Sequence, residues 1–264
     1  MRLEEIEISA VTSLDLYVIY LRSPIVVDKL FIIVPAYNES ANIKAFIDAW
    51  YPIIVEHNGN GESRLVIIDD GSKDNTYKIM KEASETRPLF LPLTKPNAGH
   101  GSTLLFGYRY AIENHADFIF QTDSDGQTNP EEFQQFWDVR KEYDAIIGNR
   151  PDRQDGLFRK FVQKVLLLIL RINFGVNVPD SNAPFRLMKT EIVEKYIKKM
   201  PEDFNLPNVM LTTYLSYFHE KVRFIDVSFK PRQGGRNSIN YKRIVKIGWK
   251  AIGDFKNLKK NIND

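Results

Sequence analysis

The segment LFIIVPAYNES (residues 30–40) sets the fold. Its first six residues form a short apolar run with three β-branched residues, closed by Pro35. Such a run reads as a strand buried on both faces of a parallel sheet. Ser40 then opens a helical stretch in which Ile43, Phe46, Ile47 and Trp50 recur at spacings of three and four. Further along, the same unit returns. Residues 65–68 form a second apolar run ending in Asp69-Asp70-Gly71-Ser72, and a helix is expected from Asp74 past Met80. Residues 89–93 read as a third strand, closed by Pro96 and Asn97. A helix over 99–114 follows, with Leu104, Leu105, Tyr108 and Ala111 on one face. A strand at 118–122 leads into Asp123-Ser124-Asp125-Gly126. Pro130 sits where a first-turn helix proline belongs, and 145–148 is another short strand. Strands alternating with helices predict an α/β protein with a mostly parallel sheet.

Composition agrees with that class and excludes others. The 264 residues are 43% hydrophobic and 27% charged, enough for a sizeable core and too apolar for a disordered chain. Lys and Arg number 36 against 34 Asp and Glu, a net charge of +2 that gives no global attraction to nucleic acid. Cysteine is absent, which removes disulfides, thiolate metal sites and cysteine nucleophiles together and suits a reducing compartment. No apolar run approaches the roughly 20 residues of a membrane-spanning helix. The first residues carry acids and no signal-peptide apolar block. A soluble cytoplasmic protein is therefore expected. Three parts are expected: an N-terminal extension over 1–29, one α/β domain over 30–240 and a basic C-terminal segment over 241–264.

The polar residues gather just after the strands. Pro35-Ala36-Tyr37-Asn38-Glu39 follows the first, Asp69-Asp70-Gly71-Ser72 the second, Asn97-Ala98-Gly99-His100-Gly101 the third and Asp123-Ser124-Asp125 the fourth. Turns and helix caps favour Asp, Asn and Gly anyway, so one such loop says little. Four in succession, all at the sheet edge where α/β proteins bind ligands, say more. Asp123 and Asp125 carry the most chemistry. Residues i and i+2 at a strand end face the same side, so both carboxylates can converge on one hard cation. Mg²⁺ or Mn²⁺ is commonly held this way, by one or two carboxylates plus substrate phosphates. A calcium EF-hand fits poorly, because the loop lacks a glutamate at its twelfth position.

The ordered set VPAYNES (34–40), VIIDDGSKDNT (66–76), NAGHGS (97–102), TDSDGQTNP (122–130) and GNRPDR (148–153) resembles family 2 glycosyltransferases of GT-A fold. Three later segments, DGLFRKFVQKV (155–165), DSNAPFRLMK (180–189) and RQGGRNS (232–238), are similar to the branch with dolichol-phosphate mannose synthase and bacterial polyprenyl-phosphate glycosyltransferases. The resemblance implies a Rossmann-like GT-A sheet with helical acceptor or membrane-facing elements toward the C-terminus. It implies that Pro35, Tyr37, Glu39, Asp69, Asp70, Gly99, Asp123 and Ser124 meet the nucleotide sugar. Asp123 and Asp125 would hold Mg²⁺ or Mn²⁺, with Gln127 joining them. Asp125, Arg150, Arg159 and Arg232 would be catalytic. Within that set Arg150 and Arg159 face an acceptor phosphate, and Arg232 closes over the donor diphosphate. Asp180 and Arg186 would lie in the acceptor region. Arginine suits such roles because its guanidinium binds phosphate bidentately. The donor would be a UDP- or GDP-sugar, and the acceptor a polyprenyl phosphate or, alternatively, a saccharide hydroxyl in surface polysaccharide assembly. A nucleotidyltransferase, a non-catalytic nucleotide-sugar binding protein and an oligomer are the other readings left open.

The chain departs from the family in several places. His100 stands where lysine is frequent, Gln163 replaces a common serine, and Ala183-Pro184 replaces a small-Gly pair. The RQGGRNS spacing is one residue longer than the commonest form. A hydroxyl acceptor needs a carboxylate base. Glu202 and Asp203 are the candidates, while Asn208 stands where the branch tends to carry glutamate. An anionic phosphate needs no base, which favours a phosphate acceptor. Residues 157–179 contain no acid but hold Arg159, Lys160, Lys164 and Arg171. Phe158, Phe161, Val162, Val165 and Ile169 are expected on one helical face, widened by Leu166 to Leu168. That helix could lie in a bilayer interface or pack on the core. From 230 to 260 ten Lys or Arg accompany Asp254 alone, a second candidate for an anionic lipid surface.

Overall fold

The computed structural model describes residues 27–151 and 156–230, together with 253–255 and 258–259; for 156–161 it describes the backbone. The strands are β1 (Leu30–Ala36), β2 (Arg64–Asp69), β3 (Phe90–Thr94), β4 (Phe118–Gln121), β5 (Ala145–Asn149), β6 (Arg186–Lys189) and β7 (Val222–Asp226). The helices are α1 (Ile43–Glu56), α2 (Thr76–Ser84), α3 (His100–Glu113), α4 (Gln134–Trp137), α5 (Gly156–Phe174), α6 (Thr190–Ile197) and α7 (Pro207–Tyr217). Pro130 begins a single 3-10 turn, Pro130–Phe133, that runs into the one-turn α4. A longer helix does not form there.

All seven strands join one sheet in the order β3-β2-β1-β4-β6-β5-β7. β1 pairs in parallel with β2 and β4, β2 with β3, and β5 with β7. Only β6 runs against its neighbours, placed between β4 and β5. The GT-A-like expectation of a mixed, mostly parallel sheet is met. The chain walks outward from β1 to β3, then returns to lay β4 on the other side of β1. This reversal opens a crevice at the carboxyl ends of β1 and β4, the place where open α/β sheets bind ligands.

Alternation along the strands divides the core into two layers. Leu30, Ile32 and Val34 of β1 pack with α1, α2 and α4, where Trp50, Phe120, Phe133, Phe136 and Phe185 form an aromatic cluster. Phe31 and Ile33 face the opposite layer with α3, α5, α6 and α7. Helix α7 is buried on nearly every side, which its sequence, apolar with interspersed Thr and Asn, does not announce. Phe255 and Leu258 of the basic C-terminal segment join the same layer, with the Phe255 ring 6.4 Å from that of Phe174. Part of that segment therefore belongs to the core.

Helix α5 resolves the two readings of its apolar residues. Leu170 and Phe174 are buried, and Leu166 and Ile169 pack against the core beside them. Val165, Leu168 and Ile172, spaced three and four apart, point outward with exposures of 39%, 55% and 72%. The single face expected from the sequence is thus two stripes, and Ile169 belongs to the inner one. Phe158 and Phe161 lie where side chains are outside the described residues.

Candidate active site

Side chains tie the strand-end loops together in sheet order. Between β3 and β2, Thr94 Oγ1 donates to Asp69 Oδ2 at 2.9 Å, and the Ser72 N–H reaches the same carboxylate at 3.2 Å. The Asp70 carboxylate takes the Lys95 ammonium and the backbone N–H groups of Ala98 and Gly99, each of the latter at 2.9 Å. Burial pushes the Asp70 carboxyl upward, but the Lys95 and Ala98 hydrogen bonds outweigh it and hold the group below its usual range. Both aspartates are buried. Their oxygens fix the loop 95–99 that leads into α3.

Between β2 and β1, the loop 37–40 hangs on the motif that follows Gly71. The N–H groups of Asn38, Glu39 and Ser40 donate to Ser72 Oγ, Thr76 Oγ1 and Asp74 Oδ2. Pro35 is the buried end of β1 and Tyr37 is partly exposed just beyond it. Glu39 is buried, and its carboxylate accepts from Asn42 Nδ2 at 2.9 Å. Between β1 and β4, Ser124 Oγ donates to the Pro35 carbonyl at 2.8 Å. Ser124 thereby ties the turn after β4 to β1.

Asp123 and Asp125 flank that serine at the mouth of the crevice. β4 ends at Gln121, so the two carboxylates sit in a turn past the strand, and strand alternation does not orient them. Asp123 Oδ1 is buried with no hydrogen-bond partner, and His100 Nε2 at the start of α3 is 3.9 Å from it. Asp125 Oδ1 accepts the Gln127 N–H at 3.2 Å. Among the described residues no three carboxylates or histidines converge as a metal cluster. A pair of aspartates with one buried, unpartnered oxygen fits a hard cation that takes its remaining ligands from a substrate diphosphate. Gln127 is partly engaged. Its Nε2 donates to the Lys230 carbonyl at 3.0 Å and its carbonyl accepts from the Lys230 N–H, tying this loop to the segment after β7. Gly99, at φ 91, starts α3 opposite the pair. Gly101 follows, and a Cβ there would lie 2.3 Å from the Phe204 carbonyl. Its absence lets the 204–205 backbone lie directly on α3.

On the other side of β4 the construction is ionic. Arg150 and Asp180, both buried, pair at 2.8 Å, and Arg150 also donates to the Asn182 carbonyl and stacks on Phe229. Arg186, expected in the acceptor region, is completely buried and donates to the carbonyls of Ala183 and Asn208. Burial pulls its guanidinium below the usual arginine range. Arg150, Asp180 and Arg186 therefore brace the loop 180–185, and Arg186 has no surface to offer an acceptor. Asn208 is buried too, its side chain 3.2 Å from Tyr108 OH, and an amide there supplies no base. Glu202 is exposed and 3.8 Å from Arg109. Arg159 lies where side chains are outside the described residues, and Arg232 with the whole RQGGRNS segment (232–238) is outside them altogether.

Sequence reasoning passed over the residues that do the tying. Ser72, Asp74, Thr76 and Lys95 belong to motifs whose acidic members drew attention. The alternation of Ser, Asp and Thr at 72, 74 and 76 was the available signal. Nothing local marked Arg186 as buried, because its burial depends on β6 entering the sheet against Gln121.

The model for glycosyl transferase family 2 matches residues 31–197, well over half of the chain. Among curated proteins, the undecaprenyl-phosphate 4-deoxy-4-formamido-L-arabinose transferase of Pectobacterium atrosepticum is 24% identical over 219 residues. The match covers 82% of this chain and 64% of the relative. The protein of that name from Yersinia pestis is 25% identical, over 86% of this chain and 67% of the relative. The chain thus spans about two thirds of the length of these relatives. Among solved structures, glucosyl-3-phosphoglycerate synthase from Mycobacterium tuberculosis, with Mn²⁺ and UDP-glucose bound, superposes with a TM-score of 0.64 at 16% identity. That match covers 88% of this chain and 79% of the other. At such identity the likeness is one of fold.

Proposed function

The chain belongs to glycosyl transferase family 2, and from that premise we propose that it moves a sugar from a nucleoside-diphosphate sugar to polyprenyl phosphate with inversion at C1. The observation that carries this reading is the Asp123–Asp125 turn at the β1/β4 crevice, with a buried carboxylate oxygen that lacks a partner. Mn²⁺ or Mg²⁺ bound there would neutralise the departing diphosphate. Asp123 and Asp125 hold that ion, Tyr37 and Glu39 border the nucleotide, and Ser124 and Asp70 fix the loops around it. The donor is a UDP- or GDP-sugar.

An ionised acceptor oxygen attacks C1 from the face opposite the diphosphate. The new C1–O bond forms as the old one breaks, and the electron pair leaves on the nucleoside diphosphate. No proton is removed, so no base is required. Two observations favour this over a hydroxyl acceptor: Asn208 is a buried amide, and Glu202 is an exposed side chain beside Arg109. The named activity of the curated relatives, on undecaprenyl phosphate, points the same way. A lipid acceptor brings the chain to a membrane. The outward stripe Val165, Leu168 and Ile172, with exposed Lys164 and Arg171 beside it, suits an anionic bilayer surface on the cytoplasmic side.

The test is a panel of radiolabelled UDP- and GDP-sugars, each incubated with Mn²⁺ and either undecaprenyl phosphate or an oligosaccharide. Label is expected in the lipid phase with one donor. Label in the oligosaccharide alone would replace the lipid acceptor, and label in neither would remove the assignment.

A further inference from the structure

The hydroxyl of Thr76 has one proton to give. It lies 2.5 Å from Asp74 Oδ1, and an ionised carboxylate can only accept, so the proton points there. The hydroxyl oxygen is then an acceptor on its other side, where the Glu39 N–H meets it at 2.8 Å. The second oxygen of Asp74 accepts the Ser40 N–H at 3.2 Å. Next to this relay, Ser72 Oγ takes the Asn38 N–H and Asn38 Oδ1 takes the Lys73 N–H, both at 2.8 Å. Three consecutive N–H groups of loop 37–40 therefore end on side chains of the motif 72–76. Asn38 sits at φ 54, a left-handed conformation that asparagine tolerates better than most residues.

An aspartate just before a helix ordinarily serves that helix. Asp74 does accept the Thr76 N–H at the start of α2, at 3.0 Å. Its other bonds, directly and through Thr76, reach residues 34 and 37 positions away in another loop. Burial raises its carboxyl, but the hydrogen bonds from Thr76 and Ser40 outweigh this and hold it below the usual range.

We propose that Asp74 is a positioning residue for the nucleotide pocket, holding loop 37–40 in the shape seen here through Thr76 and Ser40. The proposal rests on the donor-site reading above, in which Tyr37 and Glu39 border the nucleotide. It predicts that Asp74 sets donor affinity without touching the donor.

The experiment compares the wild type with Asp74→Ala, Thr76→Val and Thr76→Ser. Amide hydrogen exchange at Glu39 and Ser40 is read without ligand, and UDP and GDP binding are read with Mn²⁺ by calorimetry. Exchange in both disruptive variants is expected to quicken, and the dissociation constant of the bound nucleotide to rise about tenfold, one buried hydrogen bond's worth. Thr76→Ser, which keeps the hydroxyl, is expected to restore both. In turnover, KM for the donor should rise while kcat stays close to that of the wild type. Should Asp74→Ala not fold, Thr76→Val carries the comparison. Faster exchange with unmoved nucleotide affinity overturns the proposal, as does unmoved exchange, and the donor-site reading then survives. Wild-type protein that binds neither UDP nor GDP overturns the donor-site reading and this proposal with it.

Discussion

In the β3-β2-β1-β4 half of the sheet, loops are joined mostly by hydroxyl and carboxylate side chains, bonded to backbone N–H groups, to the Pro35 carbonyl and to one another, with Lys95 on Asp70 as an ion pair among them. In the β6-β5-β7 half, the loop 180–185 is held by two buried arginines and a buried aspartate. The first kind of joint shapes a rigid pocket from short motifs and leaves Asp123 with an oxygen to offer. The second places charge inside the protein, where it is stable only while its partners remain.

Substitutions can break that comparison at graded strengths. Asp125→Ala should reduce sugar transfer at least about a thousandfold, the scale of a lost metal contribution of several kcal/mol, while the protein stays folded by circular dichroism. Arg150→Ala should act on stability instead. It leaves Asp180 buried and unpaired, so urea unfolding should show a loss of about 3 kcal/mol. Replacing both partners by apolar residues should recover much of that loss. Gly101→Ala drives a Cβ into the Phe204 carbonyl, and backbone cannot move aside as a flexible side chain can. A loss of about 1–3 kcal/mol is expected, measured by the same unfolding curves.

Acid sharpens the contrast. Asp70 and Asp74 have carboxyl groups held below their usual range in the folded protein. Their contribution is complete above the ordinary carboxylate range, about pH 4, and is lost as pH falls through the lower folded values. Thermal midpoints taken between about pH 5 and 2 should therefore fall, and fall less steeply in Asp70→Asn. The smallest effect on stability belongs to Leu168→Asp or Ile172→Ser on the exposed stripe of α5, within about 0.5 kcal/mol. Sedimentation with anionic vesicles should nonetheless drop in both.

The same contrast explains what was legible in the sequence. β1, β2 and β4 are buried along nearly their whole length, so each reads as an apolar run whose polar exit loop marks the site. The motifs lie within a few residues of those runs, and the family resemblance follows from them. β6 opens with a buried arginine whose register partner is Gln121, more than sixty positions away. No local periodicity encodes that pairing. Arg186 and Asp180 look like ligand-binding residues in the sequence for the same reason that they can be buried together: each has charge that must be met. Helix α5 shows the limit differently. Its hydrophobic residues predict a helix correctly, but only the packed structure separates Leu170 and Phe174 from Leu168 and Ile172.

The central claim concerns an anionic lipid acceptor and a donor held by a carboxylate-bound cation. Its most direct measurement compares transfer to undecaprenyl phosphate with transfer to undecaprenol, each with Mn²⁺ and with EDTA. The account predicts labelled lipid only where the phosphate and the cation are both present. Transfer to undecaprenol at an equal rate, or transfer that persists in EDTA, would contradict it.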